Sequence, residues 1–288
     1  MPAYNFANKN FLYRTRKTAG KTLVYIILVC VAAVCLIPFL WMVSTSLKSS
    51  RAIFIFPPQW IPNPVNWKNY YDTWTIVPFG TFFKNTVTIA SLCTIGTLIS
   101  SSLAAYGFAR LKFKGRSFLF AVMLATMMIP WEITAVPLYV EFNFLGWIDT
   151  LKPLFVPSFF GSAFNIFLLR QYLYSIPYDL DEAAIIDGCR PFDIYWRIML
   201  PIIRPALVAV AVFQIVAAWN DFMGPLIFLN RQVNFTLTLG LNLFRNSYMT
   251  EWDHLMAAAT FTTIVPIIIF FFGQKQLIGG IATSGLKG

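Results

Sequence analysis

Six stretches of this chain are almost wholly apolar, and shorter polar segments separate them: residues 23–44, 85–109, 118–140, 154–173, 205–229 and 255–272. A helix crossing the hydrocarbon core of a bilayer needs about 20 residues, and each run is near or above that length. A backbone in lipid must satisfy its own hydrogen bonds, so each run is predicted to be a helix. Pro130, Pro137 and Pro157 interrupt the third and fourth runs. Such breaks are tolerated where a helix is buried against others or lines a cavity. The first run is longer than the apolar core of a secretory signal and no small-residue cleavage pattern follows it, which predicts a retained anchor. Residues 45–84 carry Pro57, Pro58, Pro62 and Pro64, which predicts an extended wrap. Residues 230–254 link the fifth and sixth runs. No internal repeat is visible, and 1–288 reads as one domain.

The polar segments give an orientation. Lys9, Arg14, Arg16, Lys17 and Lys21 precede the first run, Arg110, Lys112, Lys114 and Arg116 lie between the second and third, and Arg170, Arg190, Arg197 and Arg204 flank the gap between the fourth and fifth. With Lys275 and Lys287 these place fifteen basic residues on one side, against seven on the other. Cytoplasmic loops carry the excess of Lys and Arg, so both termini and the segment 175–203 are predicted to be cytoplasmic. The fold class is therefore an all-α membrane protein with six transmembrane helices.

Composition agrees. Hydrophobic residues make up 58% of the chain and charged residues 12%, where a soluble domain carries about a quarter charged. The net charge of +10 would suit nucleic acid, but the basic residues sit at the ends of apolar runs rather than in a stripe on a soluble fold, so no nucleic-acid partner is expected. Cys30, Cys35 and Cys93 lie inside apolar runs and Cys189 in a cytoplasmic segment, so no disulfide framework is implied. His254 is the one histidine, too few for a His-based metal site. Gly20-Lys21-Thr22 is not a phosphate-binding loop, because the glycine needed five residues earlier is Thr15.

One segment breaks the apolar pattern. Residues 179–201, DLDEAAIIDGCRPFDIYWRIMLP, hold five of the twelve acidic residues. The pattern predicts two short helices. Asp179 caps the first, with Glu182 completing an acidic variant of the capping box. Gly188 supplies the left-handed stop and Pro191 opens the second helix. Phe192, Tyr195, Trp196 and Met199 follow at i, i+3, i+4, i+7 as one apolar face, with Asp193 and Arg197 as an i,i+4 pair. Ala183, Ala184 and Gly188 offer a surface on which another body could approach closely. From the residues alone, a helix lying on the lipid surface remains an equal alternative.

The string Glu182-Ala183-Ala184, three residues, Gly188, nine residues, Ile198-x-Leu200-Pro201 resembles the EAA motif of bacterial ABC importer permeases. Met128-Ile129-Pro130, Pro137-Leu138-Tyr139, Trp219-Asn220-Asp221-Phe222 and the terminal Gly285-Leu286-Lys287-Gly288 extend the similarity to carbohydrate-uptake permeases of the maltose-permease G type, over nearly the whole chain. The resemblance implies a type I ABC importer permease fold in the bacterial inner membrane. It implies no catalysis in this chain, and ATP and Mg held by two separate ATPase subunits. A second homologous permease subunit, an extracytoplasmic solute-binding protein and membrane lipid would be the other partners. Glu182, Ala183, Ala184, Asp187 and Gly188 would dock into the ATPase, supported by Arg190, Phe192, Trp196, Leu200 and Pro201. The solute would be a sugar or oligosaccharide, with a glycerol-phosphate-type or other polar solute as the alternative.

Intramembrane polar residues are candidates for the path. Trp219, Asn220 and Asp221, on the fifth helix, and Glu132, beside Pro130, are named for it, against a role in helix packing. Arg231, Asn246, Tyr248, Trp252 and His254 are candidates for contact with the binding protein, against aromatic-belt or solvated roles. An ion-coupled carrier would favour paired inverted repeats, which the sequence lacks. A membrane enzyme would need clustered acids, histidines or cysteines, which it also lacks.

Overall fold

The computed structural model describes the backbone of residues 3–245 and 250–285 and the side chains of 20–245 and 250–276. Among the described residues every regular element is helical. Helix α1 is Ala3–Ser46, α2 Phe79–Arg110, α3 Arg116–Ala125, α4 Trp131–Phe144, α5 Ala163–Tyr174, α6 Asp179–Ile186, α7 Pro191–Ile202, α8 Arg204–Asn220, α9 Met223–Phe228 and α10 Trp252–Gly285.

Among the described residues, Gly20–Ser46, Phe79–Arg110, Lys152–Tyr174 and Trp252–Gln276 are each long and apolar enough to span a membrane, although Lys152–Tyr174 is interrupted, with a 3-10 stretch over Val156–Phe160 and a non-helical Gly161 and Ser162 before α5. Two further spans are bent: α3 with its following turn against α4 by 98°, and α7 against α8 by 76°. The six expected runs therefore correspond to four single candidates and two bent pairs. The third run turns at Pro130, whose ring admits no continuation of the preceding turn; Pro137, inside α4, does not break its helix. The fifth run ends early. Asp221 leaves the helix in an extended conformation (φ −63°, ψ 123°), and α9 resumes at Met223.

One compact unit comprises the chain up to Tyr71 together with Glu251–Thr260. The side chains of α1 from 20 to 38 are all exposed, as suits a helix solvated by lipid. Its last turn is built differently. Asn69 donates its amide to the carbonyls of Ser46 and Lys48 (2.8 and 2.7 Å), Ser46 Oγ meets the Tyr70 hydroxyl at 2.8 Å, and Ser50 donates to Asp253 at 2.6 Å. Lys48 is buried with its ammonium 4.0 Å over the Trp41 ring, and that burial pulls its pKa down. The expected extended wrap is only partly extended: short helices at Ser50–Ile53 and Lys68–Ile76 bracket the proline-rich stretch.

The other unit runs Asp72–Thr250 and continues from Phe261. Its spine is α2. Small residues line one side of that helix, and the segment 152–160 settles onto them: Cys93 Sγ reaches the Leu154 carbonyl at 3.2 Å and Ser100 Oγ the Ser158 carbonyl at 3.1 Å. Close approach through small residues is how helices pack where lipid offers no hydrophobic drive. At the first end of α2, Asn85 donates to the carbonyls of Val233 and Phe235, and Thr86 Oγ1 accepts from the Leu237 amide. At its far end, Ala105, Tyr106 and Ala109 join Leu169, Leu173, Ile194, Met199 and Val210 in one buried cluster, which binds α5, α7 and α8 together.

Candidate functional site

The acidic insert stands on that far-end cluster as a helical hairpin. Helix α6 begins at Asp179 itself. Tyr178 precedes it with helical dihedrals, and its carbonyl already takes the amides of Asp181 and Glu182 (2.9 and 3.2 Å). The expected Asp179 cap is therefore corrected: Asp179, Asp181 and Glu182 lie in the first turn, where their charges favour the positive end of the helix dipole. The other end follows expectation. Gly188 has φ +81°, the Cys189 amide reaches back to the Ala184 carbonyl at 2.9 Å, and the Gly188 amide to Ile185 at 3.0 Å. These two bonds form a Schellman closure, and Cys189 and Ala184 supply its apolar contact in the core cluster. Pro191 then opens α7.

Helix α7 departs from the α pattern. Residues Ile194–Met199 are π-helical, and i→i+5 bonding brings residues five apart onto one face. Ile194, Tyr195 and Met199 are buried, whereas Phe192 and Trp196 are exposed (66% and 59%). The expected four-residue stripe is thus split, with two of its aromatics facing outward. Tyr195 meets Ser102 Oγ at 2.8 Å and Tyr106 donates to the Pro191 carbonyl at 2.9 Å, tying the hairpin to α2. Asp193 and Arg197 pair at 3.8 Å as expected. Arg190 and Pro201 are exposed, and Leu200 is half-buried against the core cluster.

Helix α6 has two faces. Asp181 and Ala184 point inward and are buried. Glu182, Ala183, Ile185, Ile186, Asp187 and Gly188 are exposed. Ala184 was expected on the outward surface; with helical periodicity it falls beneath Ala183 and fills the chain's own core. Ile185 and Ile186 were not singled out from the sequence, although two large apolar residues beside an acidic helix start are a readable signal of a covered surface.

Beneath the hairpin one guanidinium joins three elements. Arg110, the last residue of α2, is buried. Its Nη2 donates to the carbonyls of Leu173 and Ile176, at and just past the end of α5, at 2.9 and 3.0 Å. Its Nη1 lies 3.4 Å from Asp181 Oδ2 in α6. Asp181 Oδ2 and Arg110 Nε have no hydrogen-bond partner there. Burial raises the Asp181 pKa, and the Arg110 charge opposes that rise. Sequence reading gave Arg110 only a topological role; the 71-residue separation from Asp181 hid the pair.

The candidates for the path separate. Trp219 is buried and donates its indole N–H to the Thr262 carbonyl at 3.0 Å, a helix-packing contact. Asn220 is exposed and turns its amide back to the Val216 carbonyl. Glu132 is exposed in the first turn of α4. Asp221 borders a cavity of about 500 Å³ whose walls include Trp131, Gln214, Ser158 and Phe228. Asp221 Oδ1 also accepts from the Gly224 amide at 3.1 Å, which starts α9. Gln214, the lone amide in the middle of the fifth apolar run, could have been found as an intramembrane polar residue.

At the opposite end of α2, Asp149 (φ +60°) gathers the loop after α9. It accepts from the amides of Asn230 and Arg231 (3.0 and 2.9 Å), from Asn234 Nδ2 at 3.0 Å, and from the Arg231 side chain. Those donors, the Arg231 amide foremost, hold the Asp149 carboxyl well below the usual range. Trp252 is exposed, and His254 Nδ1 lies 3.2 Å from Glu251. Asn246 and Tyr248 lie outside the described residues.

A family model described as binding-protein-dependent transport system inner membrane component matches residues 96–282, which include the whole hairpin. The chain belongs to this family. It is a non-catalytic permease subunit of an ABC importer and a multi-pass protein of the bacterial inner membrane. The permease is 34% identical over 274 residues to the probable ABC transporter permease protein YurM of Bacillus subtilis, covering 93% of this chain and 89% of that one. It is 37% identical over 207 residues to the arabinooligosaccharides transport system permease protein AraQ of the same organism, covering 72% and 73%. The crystal structure of a bacterial ABC transporter involved in the import of the acidic polysaccharide alginate has the same fold, with TM-score 0.77 and 24% identity over 88% of the permease and 95% of that chain.

Proposed function

We propose that the permease carries a sugar or oligosaccharide inward, delivered by an extracytoplasmic binding protein and driven by ATP, with Mg, in two partner ATPase subunits. A second homologous permease subunit completes the pathway, and the whole of this chain serves as one permease domain. Both termini and the hairpin lie on the cytoplasmic side, in line with the basic residues there. The observation that carries the docking role is the two-faced α6: its inner face is fixed in the core, while Glu182, Ala183, Ile185 and Ile186 stand uncovered on a rigid base. A charged residue amid exposed apolar ones suits a protein cleft that offers a basic partner. Phe192 and Trp196, on α7, are exposed as well.

Sugar as cargo is supported by relatives. Those with the names arabinooligosaccharides, diacetylchitobiose and trehalose/maltose transport system components are 37%, 30% and 33% identical. The Trp131–Gln214–Asp221 cavity suits a neutral polyol: aromatic faces stack on sugar rings, and amide and carboxylate bind hydroxyls. The residues bordering it include Asp221 and no Lys or Arg, which disfavours a phosphorylated solute. Arg231, Asn246, Tyr248, Trp252 and His254 are the candidates for contact with the binding protein.

The test is Glu182→Lys in the assembled complex. Loss of ATP-driven uptake with unchanged membrane insertion is expected; undiminished uptake with the ATPase still bound would remove the docking role.

A further inference from the structure

We infer that Arg110 is a positioning residue for transport: it locks α6 to the ends of α2 and α5, so that displacement of the docking helix becomes displacement of the membrane helices. The inference rests on the docking role proposed for α6 and names the contact through which that role reaches the membrane.

The geometry is specific. Helix α6 turns two buried residues toward the core, Asp181 and Ala184. A single methyl gives little purchase against sliding, so Asp181 is the lateral anchor. It meets a guanidinium whose other arm is engaged by two α5-end carbonyls. Carbonyls at a helix end lack their usual i+4 donor; the Leu173 carbonyl takes the Ile176 amide at 3.2 Å, and Arg110 adds a second donor to it and donates to the Ile176 carbonyl as well. Three helix ends are thus joined at one planar group, with Tyr178 5.7 Å away on its face. A buried ion pair is a poor source of stability, because apolar replacements are often as stable. What it supplies is direction: a carboxylate facing a fixed guanidinium has a preferred place, and apolar packing does not. Pressing α6 toward α2 shortens the 3.4 Å contact and strengthens it, so the connection tightens under load.

The experiment uses the complete transporter, with partner permease, ATPases and binding protein, in proteoliposomes. Asp181→Asn and Arg110→Lys are expected to insert and retain the ATPase, because the outward face of α6 is untouched. Uptake falls about tenfold or more while ATP hydrolysis persists, and Asp181→Glu recovers part of the uptake. Uptake within about twofold of the parent overturns the inference. So does loss of the bound ATPase together with uptake, which would make the pair a folding element. A second measurement does not depend on the variants folding. Spin labels at Asp179→Cys and Leu111→Cys, both exposed positions, are placed in a chain cleared of its four cysteines. Their separation is expected to stay within about 2 Å between nucleotide-free and ATP-bound states; a larger change means α6 slides past α2 and overturns the inference. Failure of the docking role itself reads differently: Glu182→Lys leaves uptake intact while the label separation stays fixed.

Discussion

Gly188 can be perturbed in a way that separates backbone geometry from contact. Its φ of +81° is unfavourable for L side chains, and a Cβ built there would meet nothing within 4 Å. Substitution therefore costs conformational energy and no internal clash. An L residue in the left-handed region costs roughly 1–2 kcal/mol. Replacing glycine also restricts the unfolded chain, which offsets about 0.4–1 kcal/mol. Gly188→Ala should thus destabilise the hairpin by about 1 kcal/mol, or about 2 °C in the unfolding midpoint for a chain of this size. Asparagine tolerates the left-handed region and β-branched residues do not. The expected order of midpoints is Gly, then Asn, then Ala, then Val, measured on the purified permease in detergent. Uptake by the assembled transporter separates the second effect. Where a partner surface approaches Gly188, Asn lowers uptake more than Ala, because size then matters and strain does not. A midpoint for Asn below that for Ala would refute the backbone argument, since the empty space around the Cβ leaves no other internal cause.

Two further substitutions test the frame around the site. Asp149→Ala removes the acceptor for four donors and should weaken the 230–236 loop by about 1–3 kcal/mol, read as lower amide-exchange protection there; because the folded carboxyl is held below its ordinary value of 3.8, this stabilisation is fully present above that pH and is lost only as pH falls below it, so the protection of the loop amides relative to their intrinsic, base-catalysed exchange should be flat from about pH 5 to 8. Gly96→Ala would bring a methyl within 2.7 Å of the Phe159 ring and should cost about 1–3 kcal/mol of stability by overpacking, whereas Gly107→Ala on the same helix meets nothing within 4 Å and should be neutral or stabilising by up to about 1 kcal/mol; equal midpoints for the two variants would contradict the close packing of α2.

The apolar runs, the basic segments and the spacing Glu182-Ala183-Ala184…Gly188 are local patterns. Local patterns are what a one-dimensional reading captures. Six hydrophobic runs, a helical hairpin with a glycine turn, and the family were all legible for that reason. The bends were partly so. Pro130 marked one break, but the end of α8 at Asp221 carries no proline, and its extended geometry follows from α9 starting on the Asp221 carboxylate.

The sequence by itself determined the solvent, the class of machine and the place of its acidic hairpin, because composition and short-range spacing act through each residue's own chemistry. Only the tertiary structure decided which side of that hairpin is available. The π turn rotates Trp196 outward and Tyr195 inward, and Ala184 lies beneath Ala183. It also decided that Arg110, apparently one of several loop charges, is buried against Asp181, and that Trp219 is spent on the Thr262 carbonyl. Those assignments depend on helices meeting across tens to hundreds of residues. A charge or an indole has the same local signature whether it ends in water, in lipid or against a distant carbonyl; the energy of its surroundings exists only once the helices have packed.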